Sequence, residues 1–405
     1  MTKSTSAAFS PALVLFLYCI KIDCMKNCLL ICLVSWSSLS AFSGTVTLNM
    51  NHDNLARNFL VHTPPGFSSS QHLPVVINLH GYGSDGPQQE FYSRMSETSD
   101  SNNFIVVYPN GLSNQWNSGF TAPYNGGTDD VGFISKIIDT LYTLYNIDLS
   151  RVYACGMSNG GYQSYRLACD LENRIAAIAS VTGTITSLTA LNCVLSRNIP
   201  VMEIHGTEDP LVPYGGSTGS LSVEDNINFW LSKNQCNTTN DTLNLPDTNP
   251  LDSSTVERIY YRTCGNGTEV VFYKITGGGH TWPNAPLDWI YGPTNRDFDA
   301  SQEIWNFFNR FTLNGPVSGI EHESARLTVN VFPNPGAGIY NIQILNYEWE
   351  KPLQLVMYNM DGKKVMEDSA FSPLSSININ HLAAGIYLLH TEEENIPIST
   401  RLIKE

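Results

Sequence analysis

The stretch Val152-Tyr153-Ala154-Cys155-Gly156-Met157-Ser158-Asn159-Gly160-Gly161 decides the fold. An apolar run leads into it and a helical pattern through Leu171 leads out, so Ser158 sits where a strand turns sharply into a helix. Such a turn strains the backbone of its central residue, and glycines two positions away on each side remove the side chains that would collide. The turn lifts the Ser158 hydroxyl off the sheet, and the helix N-terminus behind it favours developing negative charge. The GxSxG letters alone are weak, because a glycine-rich turn with a bystander serine spells the same pattern. The strand before and the helix after give them meaning.

A hydroxyl at its ordinary pKa is a poor nucleophile and needs a base, held in turn by a carboxylate. In this architecture the chain order is serine, acid, histidine. His280 stands in Gly277-Gly278-Gly279-His280-Thr281-Trp282-Pro283, directly after the strand-like run 270–275. It is therefore expected at the carboxyl end of a strand, on the edge that carries Ser158. His322, His381 and His390 fall in the C-terminal region, which leaves His280 as the expected base. Asp209, in His205-Gly206-Thr207-Glu208-Asp209-Pro210 after the run 200–204, is the expected acid. Glu208 is its competitor, and a plain Asp-Pro turn is the bland alternative. An oxyanion hole needs two backbone N–H groups. Asn159 supplies one, and Tyr82 in Leu79-His80-Gly81-Tyr82-Gly83 the other. His80 precedes Ser158 and is expected to pack under that loop. Trp116 and Trp282 are candidates for bordering an acyl pocket, with ordinary packing as the alternative.

Working outward, residues 44–313 alternate β-branched apolar runs with helical patterns. The runs are 45–48, 58–62, 74–79, 104–108, 152–155, 176–181, 200–204 and 270–275. Ile134, Ile137, Ile138, Leu141 and Tyr145 recur at helical spacing. Ser222 with Asp225, and Asp299 with Gln302, read as helix starts. This alternation predicts an α/β fold, a mostly parallel sheet with helices on both faces. Beyond Leu313 the texture changes. Asn314-Gly315-Pro316 breaks the last helix, and residues 314–326 form a polar linker. Residues 327–405 show only short strands, at 327–332, 338–345, 353–359, 377–379, 385–391 and 397–403, with a hairpin turn at Asp361-Gly362. That spacing predicts a small all-β sandwich as a second domain.

The chain has 405 residues, 42% hydrophobic and 15% charged, a globular profile with room for more than one domain. Its net charge of −15 repels phosphate backbones and anionic headgroups, which excludes nucleic acid as a partner. Residues 25–43 read as a signal peptide. Met25-Lys26-Asn27 is the basic start, 28–36 the apolar run and Ala41-Phe42-Ser43 the cleavage site before Gly44. Residues 1–24, with their own apolar run at 12–20, read as a start placed too early. A single membrane anchor built from both runs is the alternative. Lys21, Asp23 and Lys26 interrupt them, and charge is costly at the bilayer centre. No later run supplies the roughly 20 apolar residues of a membrane span. Beyond the signal segment lie Cys155, Cys169, Cys193, Cys236 and Cys264, none in a CxxC pair, so no zinc or thioredoxin-type site is expected. Export then implies two disulfides and a leftover thiol. Cys155, inside the apolar run, is the odd one and should be inert. No metal or cofactor is implied.

Taken in order, "LHGYGSDG" (79–86), "DDVGFI" (129–134), "GMSNGG" (156–161), "HGTEDPLVPY" (205–214) and "GGGHTWP" (277–283) make residues 44–313 recognisable. They resemble the secreted α/β-hydrolases of the polyhydroxybutyrate depolymerase and feruloyl esterase group, in carbohydrate esterase family one. The resemblance implies a triad of Ser158, Asp209 and His280 and disulfides Cys169–Cys193 and Cys236–Cys264. It also implies an ester substrate, often polymeric, with a hydroxybutyrate, feruloyl or acetyl group. The tail is similar to the C-terminal sorting domain of the type IX secretion system. That likeness rests on Val331-Phe332-Pro333-Asn334-Pro335, "MYNMDGKKV" (357–365) and Leu382-Ala383-Ala384-Gly385-Ile386-Tyr387. It implies secretion machinery as a partner and a secreted or cell-surface location. A carbohydrate-binding module is the rival for the tail, but Trp349 is its only tryptophan, a thin platform for stacking sugars. For the whole chain the rivals are a serine peptidase on the same fold and a non-catalytic surface adhesin. The ordered serine, acid and histidine argue against the adhesin.

Overall fold

The computed structural model describes residues 44–288, 291–317, 328–345, 352–360, 362–372, 374–393 and 396–404. The early start over 1–24, the expected signal peptide over 25–43, linker residues 318–326 and Trp349 lie outside the described residues. The first ten strands are β1 (Gly44–His52), β2 (Leu55–Thr63), β3 (Val75–Leu79), β4 (Ile105–Pro109) and β5 (Val152–Met157), then β6 (Ile178–Val181), β7 (Val201–Gly206), β8 (Asp241–Asn244), β9 (Thr255–Tyr261) and β10 (Val270–Thr276). Among them run α1 (Gly86–Ser93), α2 (Met95–Asn102), α3 (Asp130–Tyr145), α4 (Asn159–Asp170), α5 (Ser187–Asn192) and α6 (Val223–Lys233), and α7 (Ala300–Phe308) follows.

These strands make one sheet in the order β1-β2-β4-β3-β5-β6-β7-β10-β9-β8. From β4 to β10 neighbours are parallel, while β1-β2-β4 and β10-β9-β8 pair antiparallel. The sheet is therefore parallel through its centre, as expected, with antiparallel pairs at both margins. Strands β8 and β9 went unread for a physical reason: β8 is mostly exposed and β9 half-buried, so neither carries the continuous apolar run of a covered strand. In the centre β3, β4, β5, β6 and β7 are buried at every position.

Successive residues of a strand face opposite layers. Val152 and Ala154 of β5 pack in one core with Ile134, Ile137 and Leu141 of α3 and Trp230 of α6. Tyr153 and Cys155 enter the other core, with Ile304, Trp305 and Phe308 of α7. There Tyr153 stacks on Phe308 with ring centroids 4.8 Å apart. Cys155 is a buried free thiol, and burial pushes its pKa well up, away from reactivity. Helix starts fall where the caps lie: the side chains of Asp129, Ser222 and Asp299 accept from the N–H of Gly132, Asp225 and Gln302.

Cys169 at the end of α4 is bonded to Cys193, just after α5, and Cys236 is bonded to Cys264. The first bridge joins residues 24 apart in sequence, a constraint on the unfolded chain of about 3 kcal/mol. Replacing both Cys169 and Cys193 by Ser should lower the thermal midpoint by several degrees and leave turnover of the folded molecule unchanged. An unaltered melting curve would mean that the bridge adds nothing to stability.

After a short pair, β11 (Phe311–Thr312) and β12 (Gly315–Pro316), seven strands follow. They are β13 (Thr328–Phe332), β14 (Ile339–Leu345), β15 (Leu353–Asn359), β16 (Lys364–Ala370), β17 (Leu374–Asn378), β18 (Gly385–Glu393) and β19 (Ile396–Lys404). They form two antiparallel sheets, β13-β14-β17 and β16-β15-β18-β19. Val329, Tyr340 and Ile342 of the first share one core with Leu355, Met357 and Leu389 of the second, the two-layer arrangement of a sandwich. Strand β16 escaped the sequence reading because it is an edge strand, poorly buried and rich in polar residues.

Candidate active site

Ser158 lies between the last residue of β5 and the first of α4, with φ 56° and ψ −118°. A Cβ on Gly156 would meet the Gly160 carbonyl at 2.6 Å, and one on Gly160 would meet the Leu79 carbonyl oxygen at 2.1 Å. Only glycine permits this close crossing of strand, turn and helix. The strained backbone is pinned by Ser158 N–H donating to the Val181 carbonyl at 2.8 Å.

Because β5, β6, β7 and β10 are adjacent and parallel, the segments after β5, β7 and β10 emerge on one edge of the sheet. They carry Ser158, Asp209 and His280. The last two loops are tied together by Thr207 N–H to the Ile275 carbonyl and Glu208 N–H to the Gly278 carbonyl. His280 Nδ1 lies 2.8 Å from Asp209 Oδ2, both side chains buried. Asp209 Oδ1 accepts from the N–H groups of Leu211 and Val212, each at 2.8 Å. The carboxylate that meets His280 is thus Asp209 and not Glu208. Ser158 Oγ and His280 Nε2 form no hydrogen bond with each other among the described residues. Their relation is that of neighbours on the same sheet edge.

His80 is buried, donates from Nδ1 to the Gly81 carbonyl at 2.8 Å and accepts the Gly111 N–H at Nε2 at 3.0 Å. Burial lowers its pKa, against the opposing pull of the Gly81 carbonyl, and so favours the neutral ring. Tyr82 on that loop is 75% exposed. The backbone N–H groups of Tyr82 and Asn159 donate to no carbonyl among the described residues.

Beside Ser158 opens a cavity of about 310 Å³, walled by Tyr82, Trp116, Phe120, Asn159 and Tyr162 with residues 115, 117, 118 and 121. Trp116 lines this cavity, its indole donating to the His80 carbonyl at 2.9 Å. Trp282 does not, which corrects the expectation for that residue. It is 1% exposed, packs in the core with α7 and donates to Ser301 Oγ. Among the described residues no three His, Cys, Asp or Glu side chains converge as metal ligands would.

Two further groups shape the cavity and were not read from the sequence as such. The Asn159 side chain accepts the Trp116 N–H at 2.6 Å and donates to the Trp116 carbonyl and Ser118 Oγ, clamping the wall to the serine turn. Asp130 accepts the Asn117 N–H at 2.8 Å, while its other oxygen binds Arg57 at 2.8 Å. Burial pushes the Asp130 carboxyl up, against the Asn117 amide and the Arg57 charge that favour its ionised form. "DDVGFI" stood out as a motif, but only the fold shows that its second aspartate holds a pocket wall.

The single large sheet, the strained serine turn and the acid–histidine pair together define an α/β-hydrolase. Residues 67–242 match the phospholipase/carboxylesterase family, a span that takes in Ser158 and Asp209. Residues 330–405 match the secretion system C-terminal sorting domain, which marks the chain as a secreted or cell-surface protein. Two family models thus meet in this chain, an esterase model over the region of Ser158 and Asp209 and a sorting-domain model at its C-terminal end. A bifunctional acetylxylan esterase/xylanase of Neocallimastix patriciarum is 28% identical over 283 residues, 70% of this chain and 37% of the relative. Feruloyl esterase B of Piromyces equi is 26% identical over 250 residues, 58% of this chain and 44% of that protein. The chain thus spans less than half the length of these two relatives. The solved acetyl xylan esterase from Aspergillus awamori is 14% identical with a TM-score of 0.45, covering 65% of this chain and 98% of its own. No helix among the described residues is long and apolar enough to cross a membrane.

Proposed function

We propose that this chain is a secreted serine ester hydrolase working through an acyl-enzyme. Residues 44–313 form its catalytic domain, 314–326 a linker and 327–405 the segment that secretion machinery recognises. The observation that carries the reading is the His280–Asp209 bond of 2.8 Å on the sheet edge that also presents the strained Ser158. Ser158 Oγ attacks the ester carbonyl carbon as His280 Nε2 takes its proton. Asp209 fixes the imidazole with its proton on Nδ1. The carbonyl oxygen, now negative, is held by the N–H groups of Tyr82 and Asn159. His280 then passes its proton to the departing alcohol. A water molecule, deprotonated by the same imidazole, attacks the acyl carbon, and the acid leaves as His280 returns the proton to Ser158 Oγ.

The cavity supports an aromatic acyl group of the feruloyl type. It is far larger than an acetyl group needs, and four of its walls are aromatic. The relatives' names speak for feruloyl and acetyl esters on plant polysaccharide. The test is the purified full chain assayed on methyl ferulate, acetylated xylan, hydroxybutyrate oligomers, an aryl acetate and a peptide anilide. Methyl ferulate should give the highest kcat/KM. Preference for acetylated xylan or the oligomers would move the substrate, and cleavage of the anilide alone would make the chain a peptidase.

A further inference from the structure

Behind Asp209 lies a buried acid–base pair that the mechanism above does not use. Strand β7 ends Glu203-Ile204-His205-Gly206, so Glu203 and His205 point to the same face. Both are fully buried. His205 Nδ1 stands 2.8 Å from Glu203 Oε1, and Nε2 stands 3.0 Å from the Val212 carbonyl oxygen. The same Nε2 is 3.6 Å from Asp209 Oδ2, the oxygen that holds His280. Glu203, His205, Asp209 and His280 therefore follow one another in a connected series of acid, base, acid, base.

The protons can be assigned. The Val212 carbonyl can only accept, so His205 Nε2 carries a hydrogen. The proton between Nδ1 and Glu203 then leaves either a neutral pair or an imidazolium beside a carboxylate. Burial pushes the Glu203 carboxyl towards its neutral form, against the His205 contact. For His205, burial opposes the cation, but the Glu203 bond and charge, the Asp209 charge and the Val212 carbonyl outweigh it and raise its pKa. A second carboxylate at 3.6 Å decides for the imidazolium. The other groups around the pair are neutral or engaged elsewhere. Tyr165 of α4 donates to Glu203 Oε2 and accepts from Asn226 of α6. Ser180 of β6 faces Glu203, and Tyr162 lies within its field and that of Asp209. The Tyr214 ring meets His205 edge-on at 6.3 Å. Lys274, level with His205 on β10, has its ammonium 3.6 Å from Glu257.

We propose that Glu203 and His205 are positioning residues: a buried imidazolium, set between two carboxylates, keeps Asp209 ionised and fixed in front of His280. The cation 3.6 Å away adds to the two N–H groups that already hold the Asp209 carboxylate in front of His280. Val212, whose N–H binds Asp209 and whose carbonyl binds His205, ties the same loop to both. The inference rests on the roles given above to Ser158, Asp209 and His280.

The cation also repels a proton on His280, so its removal lets His280 bind that proton more tightly. In full-length His205→Gln, the acidic limb of the kcat/KM profile on an aryl ester should move to higher pH by about one unit. KM should stay within about twofold, because the pair does not line the cavity. In Glu203→Gln the buried His205 loses the counter-charge that keeps it protonated and becomes neutral, so the limb should move the same way. In the unmutated enzyme, histidine ¹⁵N resonances should show the His205 ring with both nitrogens protonated from pH 6 to 8, a readout that needs no variant to fold. A neutral His205 ring, or an unmoved limb in a folded variant, overturns the pair. If Ser158→Ala is inactive while the limb stays in place, this inference alone falls. Activity persisting in Ser158→Ala would instead remove the mechanism on which it rests.

Discussion

Ser158→Ala should lose ester hydrolysis by about 10⁴-fold or more while keeping its fold. The loss is large because no other group can take the place of Oγ as nucleophile. His280 and the two N–H donors would be left with only a water to activate, poorly placed. Stability should hardly change, for reasons visible at the turn. Ser158 Oγ makes no hydrogen bond among the described residues, and the bond from Ser158 N–H to Val181 belongs to the backbone. The φ of 56° is as strained for alanine as for serine. The measurement is initial rates on an aryl ester, with the melting curve as a check on folding. A folded variant that kept more than a few per cent of the rate would take Ser158 out of the mechanism.

How far the sequence could be read depended on where each residue's partners lie. Strands β3, β5, β7 and β10 were legible because burial on both faces demands continuous apolar runs. The loops after them were legible through glycine, Asp-Pro and histidine placed just past those runs. Edge strands β8 and β16 carry no such demand, nor does the half-buried β9 next to the edge, and their polar side chains hid them. The Asn159 clamp on Trp116 spans 43 residues and the Arg57–Asp130 pair 73, and contacts so distant leave no local pattern. Trp282 misled because its neighbour His280 faces the sheet edge while its own ring turns into the core. Glu203 and His205 did leave a signal, two polar residues alternating inside an otherwise apolar strand. On a strand buried throughout, such residues must find partners indoors.

Asp209→Asn should cost about 10⁴ in turnover with little change in KM, although it replaces a single oxygen by nitrogen. The geometry dictates which way the new amide must sit. Leu211 and Val212 N–H groups both point at Oδ1 from 2.8 Å, so the asparagine oxygen has to stay there. Its NH₂ is then aimed at His280 Nδ1, where a carboxylate oxygen accepted at 2.8 Å. Two donors cannot face each other, so the imidazole moves its hydrogen from Nδ1 to Nε2. Nε2–H now faces the serine side of the site and can no longer accept a proton from Ser158. The amide also carries no charge to stabilise the imidazolium that forms as the ester carbonyl is attacked. Glu208→Gln offers the control, since its side chain sits next in sequence and does not meet His280. Should Glu208→Gln prove the crippling change and Asp209→Asn stay within tenfold of the unmutated enzyme, the orienting acid is Glu208, and the bond between Asp209 and His280 belongs to structure rather than catalysis.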